Sequence, residues 1–196
     1  MLFHRAPGTG KTLAAKCLAG ELKRPLGTAA LDALHSKWHG ESEKALRMAF
    51  NEAAEKKAIR LLDEADALLY DRGASIQSYQ LAEINLLLKL LEAPKTPVVL
   101  CTNFLRVLDS AVHRRIHHLI EFPVPGFEER RAIWASRLYE RHWREGIDVD
   151  ALAALPLTGG LITNAIRQAV RGEAVYAKEF PIETRNLPRL AEKELP

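Results

Sequence analysis

The chain has 196 residues, 47% of them hydrophobic, and a formal net charge of +3, enough apolar material for one domain core and a small second one. Its 28 basic residues are scattered among 25 acidic ones, a balance that does not call for a nucleic-acid partner. No apolar run approaches a membrane span, the residues after Phe3 are too polar for a secretory leader, and Cys17 and Cys101 have neither metal-ligand nor redox spacing, so the expectation is a cytoplasmic protein with two buried cysteines.

The first apolar run, Met1-Leu2-Phe3, reads as a strand. It leads into Arg5-Ala6-Pro7-Gly8-Thr9-Gly10-Lys11-Thr12 and then into a helical spacing over 13–22, with Ala14, Cys17, Leu18 and Leu22 on one face. Strand, glycine-rich turn and helix form the context that a phosphate-cradling loop requires. Gly8 and Gly10 let backbone N–H groups close on an anion, and the helix start adds its dipole. Lys11 can reach terminal phosphates, and Thr12 can offer its hydroxyl to magnesium. The full pattern, G-x-x-x-x-G-K-[ST], wants glycine where this chain has Arg5. If that position needs a positive φ, arginine is a poor occupant, and its guanidinium would be free to intrude on the phosphates.

Lys23-Arg24-Pro25 ends the helix, a weak strand follows over 25–31, and 33–40 is a turn-rich connector. A second helix over 41–56 presents Leu46, Phe50, Ala53 and Ala54. The run 58–62 reads as a buried parallel strand with Asp63-Glu64-Ala65-Asp66 at its C-terminal end. Arg60 inside that strand conflicts with burial, because an unpaired buried charge is costly. A polar loop over 70–77 precedes a helix over 80–92, with Leu81, Ile84, Leu88 and Leu91 at helical spacing. Pro94 and Pro97 bracket its exit, and a buried strand over 98–101 ends at Thr102-Asn103. A short helix over 108–114, capped by Asp109, and a strand over 118–122 complete the series. Strands alternating with helices predict a parallel sheet covered on both faces. After Pro123-Val124-Pro125-Gly126 the pattern is helical only, over 128–144, 149–154 and 160–178, with Pro181 and Pro188 punctuating the tail. The expected domains are therefore 1–125, α/β, and 126–196, helical.

Asp63 suits magnesium, and Glu64 beside it suits activation of the attacking water. Asn103 can hold that water or a γ-phosphate, although a turn-initiating asparagine fits the same place. Arg114 and Arg115 are either solvated or ion-paired, or they reach a neighbouring subunit's γ-phosphate, an effect worth roughly 10³–10⁵ in rate. His113, His117 and His118 lack convergent spacing for a metal.

Taken together these motifs resemble the nucleotide-binding module of the AAA ATPases. Pro7 to Thr12 resembles their Walker A motif, Leu61 to Asp66 their Walker B, and Thr102-Asn103 their sensor 1. Leu108-Asp109-Ser110-Ala111, leading to Arg114-Arg115, resembles the second region of homology with its arginine fingers. Ser36-Lys37-Trp38-His39-Gly40-Glu41-Ser42-Glu43-Lys44 is similar to pore loop 1 of the protein-remodelling branch that includes katanin- and spastin-like enzymes. Leu157-Thr158-Gly159-Gly160, with Asn164, resembles the start of the sensor-2 helix.

The resemblance implies an α/β P-loop NTPase fold with a parallel sheet in the order 5-1-4-3-2, its first strand truncated and the upstream part of the 1–125 domain missing, plus a small helical lid. It implies ATP and Mg2+ as cofactors and a nucleotide site of Pro7, Gly8, Thr9, Gly10, Lys11, Thr12 and Leu13. Thr12 and Asp63 would hold the metal, and Glu64, Asn103, Arg114 and Arg115 would act in catalysis. It further implies a hexameric ring in which Lys37, Trp38 and His39 grip a protein substrate by stacking and apolar contact. No membrane is expected, and a DNA-handling relative fits the Trp38 loop less well. Two classes stay open: an active protein-remodelling ATPase, or a degenerate nucleotide-binding module serving as a non-hydrolysing partner subunit, which Arg5, Arg60 and the shortened start would favour.

Overall fold

Side chains alternate across a strand, so a strand buried on both sides must be apolar at successive positions. In the computed structural model, which describes residues 1–30, 41–65, 78–104, 110–139, 147–176 and 187–195, the apolar runs become β1 (Leu2–His4), β2 (Leu26–Ala30), β3 (Ile59–Asp63), β4 (Val98–Thr102) and β5 (Leu119–Glu121). They form one sheet in the order β2-β3-β4-β1-β5, parallel throughout. This is the order that the family resemblance implies, with β1 only three residues long.

The helices of this part are α1 (Lys11–Glu21), α2 (Glu41–Glu55), α3 (Ser78–Glu92) and α4 (Ser110–His113). Leu2, Leu62 and Leu100 turn to one face and pack with Leu46 and Phe50 of α2 and with Ile84, Leu87 and Leu88 of α3. Their neighbours Phe3, Leu61, Val99 and Cys101 turn to the other face and pack with Ala15 and Ala19 of α1. The sheet is thus covered on both faces, as the pattern predicts. The edge strand is the exception: Leu119 and Ile120 of β5 remain 49% and 38% exposed.

Contacts divide the chain into two units, Met1–Ala6 with Lys11–Phe122, and Pro7–Gly10 with Pro123–Pro196. The second unit holds α5 (Phe127–Tyr139), α6 (Val149–Ala154), α7 (Gly159–Tyr176) and α8 (Leu187–Lys193). Trp134, Leu152, Leu157, Ile162, Ile166 and Leu187 form its core. Asp148 caps α6 by accepting from the Ala151 N–H at 2.9 Å, one of the orphan donors of a helix start.

Several boundaries differ from the sequence pattern. Helix α1 begins at Lys11, where the loop pattern puts the helix start, ahead of the apolar spacing over 13–22, and Thr12 lies in its first turn. Two residues beyond the end of both α1 and α2 a lysine takes the left-handed region, Lys23 at φ 51° and Lys57 at φ 49°. The next backbone N–H in each case returns five residues, Arg24 to Ala19 and Ala58 to Ala53, satisfying carbonyls that the helix leaves open. Helix α8 is not foreshadowed by apolar periodicity, and Pro188 lies in its first turn, where the missing N–H has no intrahelical partner to lose. The Asp109 cap, the 33–40 connector and the 70–77 loop fall outside the described residues.

Arg60 is buried in β3 at 3% exposure, as the conflict in the sequence anticipates. Its Nη2 donates to the Ala49 carbonyl of α2, while its Nε has no partner among the described residues. Gly27 on β2 is its register neighbour and leaves the room, since a Cβ there would approach the guanidinium carbon to 3.3 Å. Desolvation holds the Arg60 pKa below its usual value, partly offset by the nearby Glu52 charge. Replacing such a charge with an apolar side chain of similar length is often stabilising. Arg60→Met is expected to raise the unfolding free energy by about 1 kcal/mol, the low end of that range, read as a higher midpoint in urea denaturation followed by circular dichroism.

Candidate active site

The C-terminal ends of β1, β3 and β4 carry the chemistry-bearing residues of the first unit. β1 hands over to Arg5 and Ala6, and the chain re-enters the unit at Lys11 in the first turn of α1. Three acceptors surround the Lys11 Nζ: the Arg5 carbonyl at 2.7 Å, the Ala6 carbonyl at 2.9 Å and Asn103 Oδ1 at 2.8 Å. They match the three donors of an ammonium. Lys11 itself is only 7% exposed. One residue on, Thr12 Oγ1 donates to Asp63 Oδ2 at 2.6 Å. A threonine hydroxyl and an aspartate carboxylate are hard oxygen donors, the set that magnesium takes alongside phosphate and water.

Glu64 follows Asp63 and is exposed. Its backbone N–H donates to Asp63 Oδ1 at 3.1 Å, and its φ of 54° is unusual for a residue with a side chain. Such outliers persist where the surroundings over-determine them. The next N–H, from Ala65, donates to the Cys101 carbonyl at 2.8 Å and ties this turn to β4. Cys101 is 1% exposed, and burial, then the Asp63 charge, push its thiol up to about 12. It is an inert packing residue at neutral pH.

Arg5 behaves as glycine's position would require, at φ 122°. Its guanidinium is engaged by a carboxylate of the neighbouring strand. Nε donates to Glu121 Oε1 of β5 at 2.6 Å, across 116 positions of sequence. Glu121 is the residue that sequence reasoning missed, because nothing local in a three-residue strand marks it.

Arg115 donates through Nε to Glu92 Oε1 at 3.1 Å and through Nη1 to the Ala111 carbonyl at 2.7 Å. Arg114 is exposed. His113, His117 and His118 form no metal cluster with other described residues. An apolar cavity of about 370 Å³ opens at the opposite, N-terminal ends of the strands, lined by Met1, Leu22, Ile59, Val98 and Ile116, with Arg115, His117 and His118 at its wall.

Within the second unit, the loop residues Pro7–Gly10 meet the start of α7. The Gly160 N–H donates to the Gly8 carbonyl at 2.8 Å. Gly8 has φ 76°, and a Cβ on Gly160 would lie 2.8 Å from Gly8 Cα, so a side chain at 160 would force the two segments apart. Thr158, 9% exposed, directs Oγ1 toward the Leu161 N–H at 3.4 Å. Leu13, by contrast, points outward at 54% exposure. Lys37, Trp38 and His39 lie outside the described residues.

Residues 1–124 match the profile of the ATPase family associated with various cellular activities (AAA). The chain belongs to the AAA family. It is 31% identical over 185 residues to a katanin p60 ATPase-containing subunit A1 of Arabidopsis thaliana, covering 86% of this chain and 35% of that protein. It is 30% identical over 182 residues to fidgetin-like protein 1 of Xenopus laevis, covering 88% of this chain and 28% of that protein. It is 31% identical over 204 residues to a putative 26S proteasome regulatory subunit homolog of Methanothermobacter marburgensis, covering 99% and 54%. This AAA chain thus spans between about a quarter and just over half of the length of these relatives. No described helix is long and apolar enough to cross a membrane.

Proposed function

We propose that this chain is an ATP-binding and ATP-hydrolysing AAA module that remodels or threads protein substrates as part of a hexameric ring in the cytoplasm. One observation carries the reading: Lys11 meets Asn103 across 92 positions, and Thr12 meets Asp63 across 51. Two pairs of motif residues, distant in sequence, converge where an α/β sheet places its ligands.

In this reading residues 1–125 bind the nucleotide and 126–196 form the lid. Pro7, Gly8, Thr9, Gly10 and Leu13 bound the nucleotide, and the backbone N–H groups of the loop and Lys11 take the phosphates. Thr12 and Asp63 hold Mg2+, which neutralises charge on the phosphate oxygens. Glu64 accepts a proton from the attacking water, and Asn103 orients that water or the γ-phosphate. The Arg115 guanidinium is committed to Glu92 and Ala111, which favours the exposed Arg114 as the side chain that crosses to a neighbouring subunit. Lys37, Trp38 and His39 grip an extended polypeptide in the channel.

Because an arginine from one subunit completes the site of another, ATP turnover per chain is expected to rise with protein concentration. A phosphate-release assay across a concentration series tests this. No turnover at any concentration, in the presence of Mg2+, would overturn the hydrolytic reading. The second reading, a non-hydrolysing partner subunit, is favoured by one observation, the arginine held at φ 122° where the loop wants glycine.

A further inference from the structure

We propose that Arg5 and Glu121 form a positioning pair that aims the Lys11 ammonium at the phosphates; the proposal rests on the nucleotide-binding reading of the same site. Two backbone acceptors and one side-chain acceptor are among the partners of the Lys11 ammonium. A phosphate must take a donor from one of them, and Asn103, a side chain, can turn away. The Arg5 and Ala6 carbonyls cannot, since they belong to the backbone leaving β1. They fix the direction from which the ammonium reaches out.

The orientation of the Arg5 carbonyl depends on a backbone angle, φ 122°, that residues with a Cβ rarely adopt. Something has to hold it. β1 and β5 are paired with His4 opposite Glu121, and the Phe122 N–H continues the ladder to the His4 carbonyl at 3.0 Å. Glu121 is therefore fixed beside Arg5, and its carboxylate takes the guanidinium at 2.6 Å. The side chain that replaces the loop's glycine is anchored on β5, and its own carbonyl accepts from the Lys11 ammonium. Arg5 is a working part of this loop rather than an obstruction.

The pair is half exposed, at 57% and 49%, so its influence is modest and screened by salt. Binding of a fluorescent MgATP analogue to the full chain is the test. In low salt, Glu121→Gln is expected to weaken binding by roughly 2- to 5-fold, the span of an exposed ion pair. The ratio to wild type should fall toward one in about 1 M salt, where the screening length is near 3 Å. The exchanged pair, Arg5→Glu with Glu121→Arg, is expected to bind more tightly than Glu121→Gln, a rescue that a purely structural role for Glu121 would not produce. Unfolding midpoints of all variants serve as the folding control. If wild type binds and Glu121→Gln binds equally well or better, the positioning pair is overturned and the nucleotide reading stands. If wild type itself binds no MgATP, both fall.

Discussion

Glu64→Gln is expected to lower ATP turnover by roughly 10²–10⁴-fold, the usual contribution of a positioned general base, while MgATP binding stays within a few fold of wild type. The reason lies in the division of labour at the end of β3. Asp63 accepts from Thr12 at 2.6 Å, and the proposed reading gives that pair to the metal. Glu64 is exposed, and among its contacts it is the backbone N–H that faces Asp63, at 3.1 Å. Glutamine keeps the shape of that side chain and removes its capacity to take a proton. It also keeps the backbone that holds φ at 54°. Loss of turnover with binding retained is therefore the signature of the assigned role. Equal turnover in the two proteins would remove Glu64 from the chemistry. Turnover should be measured above the concentration at which activity saturates, so that assembly does not enter the comparison.

Trp134→Ala is expected to destabilise the second unit by about 3–5 kcal/mol, the range for truncating a large aromatic in a core. Trp134 is 0% exposed and packs among Leu138, Leu152, Leu157, Ile162 and Ala165. A unit of this size has few other large side chains to close over the void, and it carries a small core to begin with. Trp134→Phe should behave differently. The indole Nε1 is buried with no partner among the described residues, so phenylalanine removes that donor along with some volume. These effects oppose one another, and the net change is expected to stay below about 1.5 kcal/mol, as for near-isosteric swaps. Urea denaturation followed by helical circular dichroism distinguishes the two variants, with Trp134→Ala losing the helical signal of the second unit first.

The loop from Pro7 to Thr12 and the acidic end of β3 were legible because the local pattern itself carries the physics. Glycines at 8 and 10 adopt φ 76° and 101°, and the positions of β3 ahead of Asp63 are all buried. The helical pattern after Pro123-Val124-Pro125-Gly126 was readable for the same reason, since a 3.6-residue period replaces the runs of a parallel sheet. Helix α8 was harder to see. Its seven residues are too few for a period to register, and Pro188 suggests a stop where the structure uses it as a start. The exposure of β5 was also invisible, because Leu119 and Ile120 read as interior residues in any window of sequence.

By itself the sequence determined the glycine-rich turn between the first strand and helix, the strand-and-helix alternation and, through its motifs, the family to which the chain belongs. Its tertiary structure alone decided what Arg5 does. Sequence physics said that arginine at a glycine position is strained, and φ 122° agrees. Where its charge would go depended on which strand lies beside β1, and that strand is β5, more than a hundred residues away. Periodicity and propensity act over a few residues, whereas a charge chooses its partner through space. Sheet order brought Glu121 to Arg5 and Asn103 to Lys11, and no local pattern encodes either meeting.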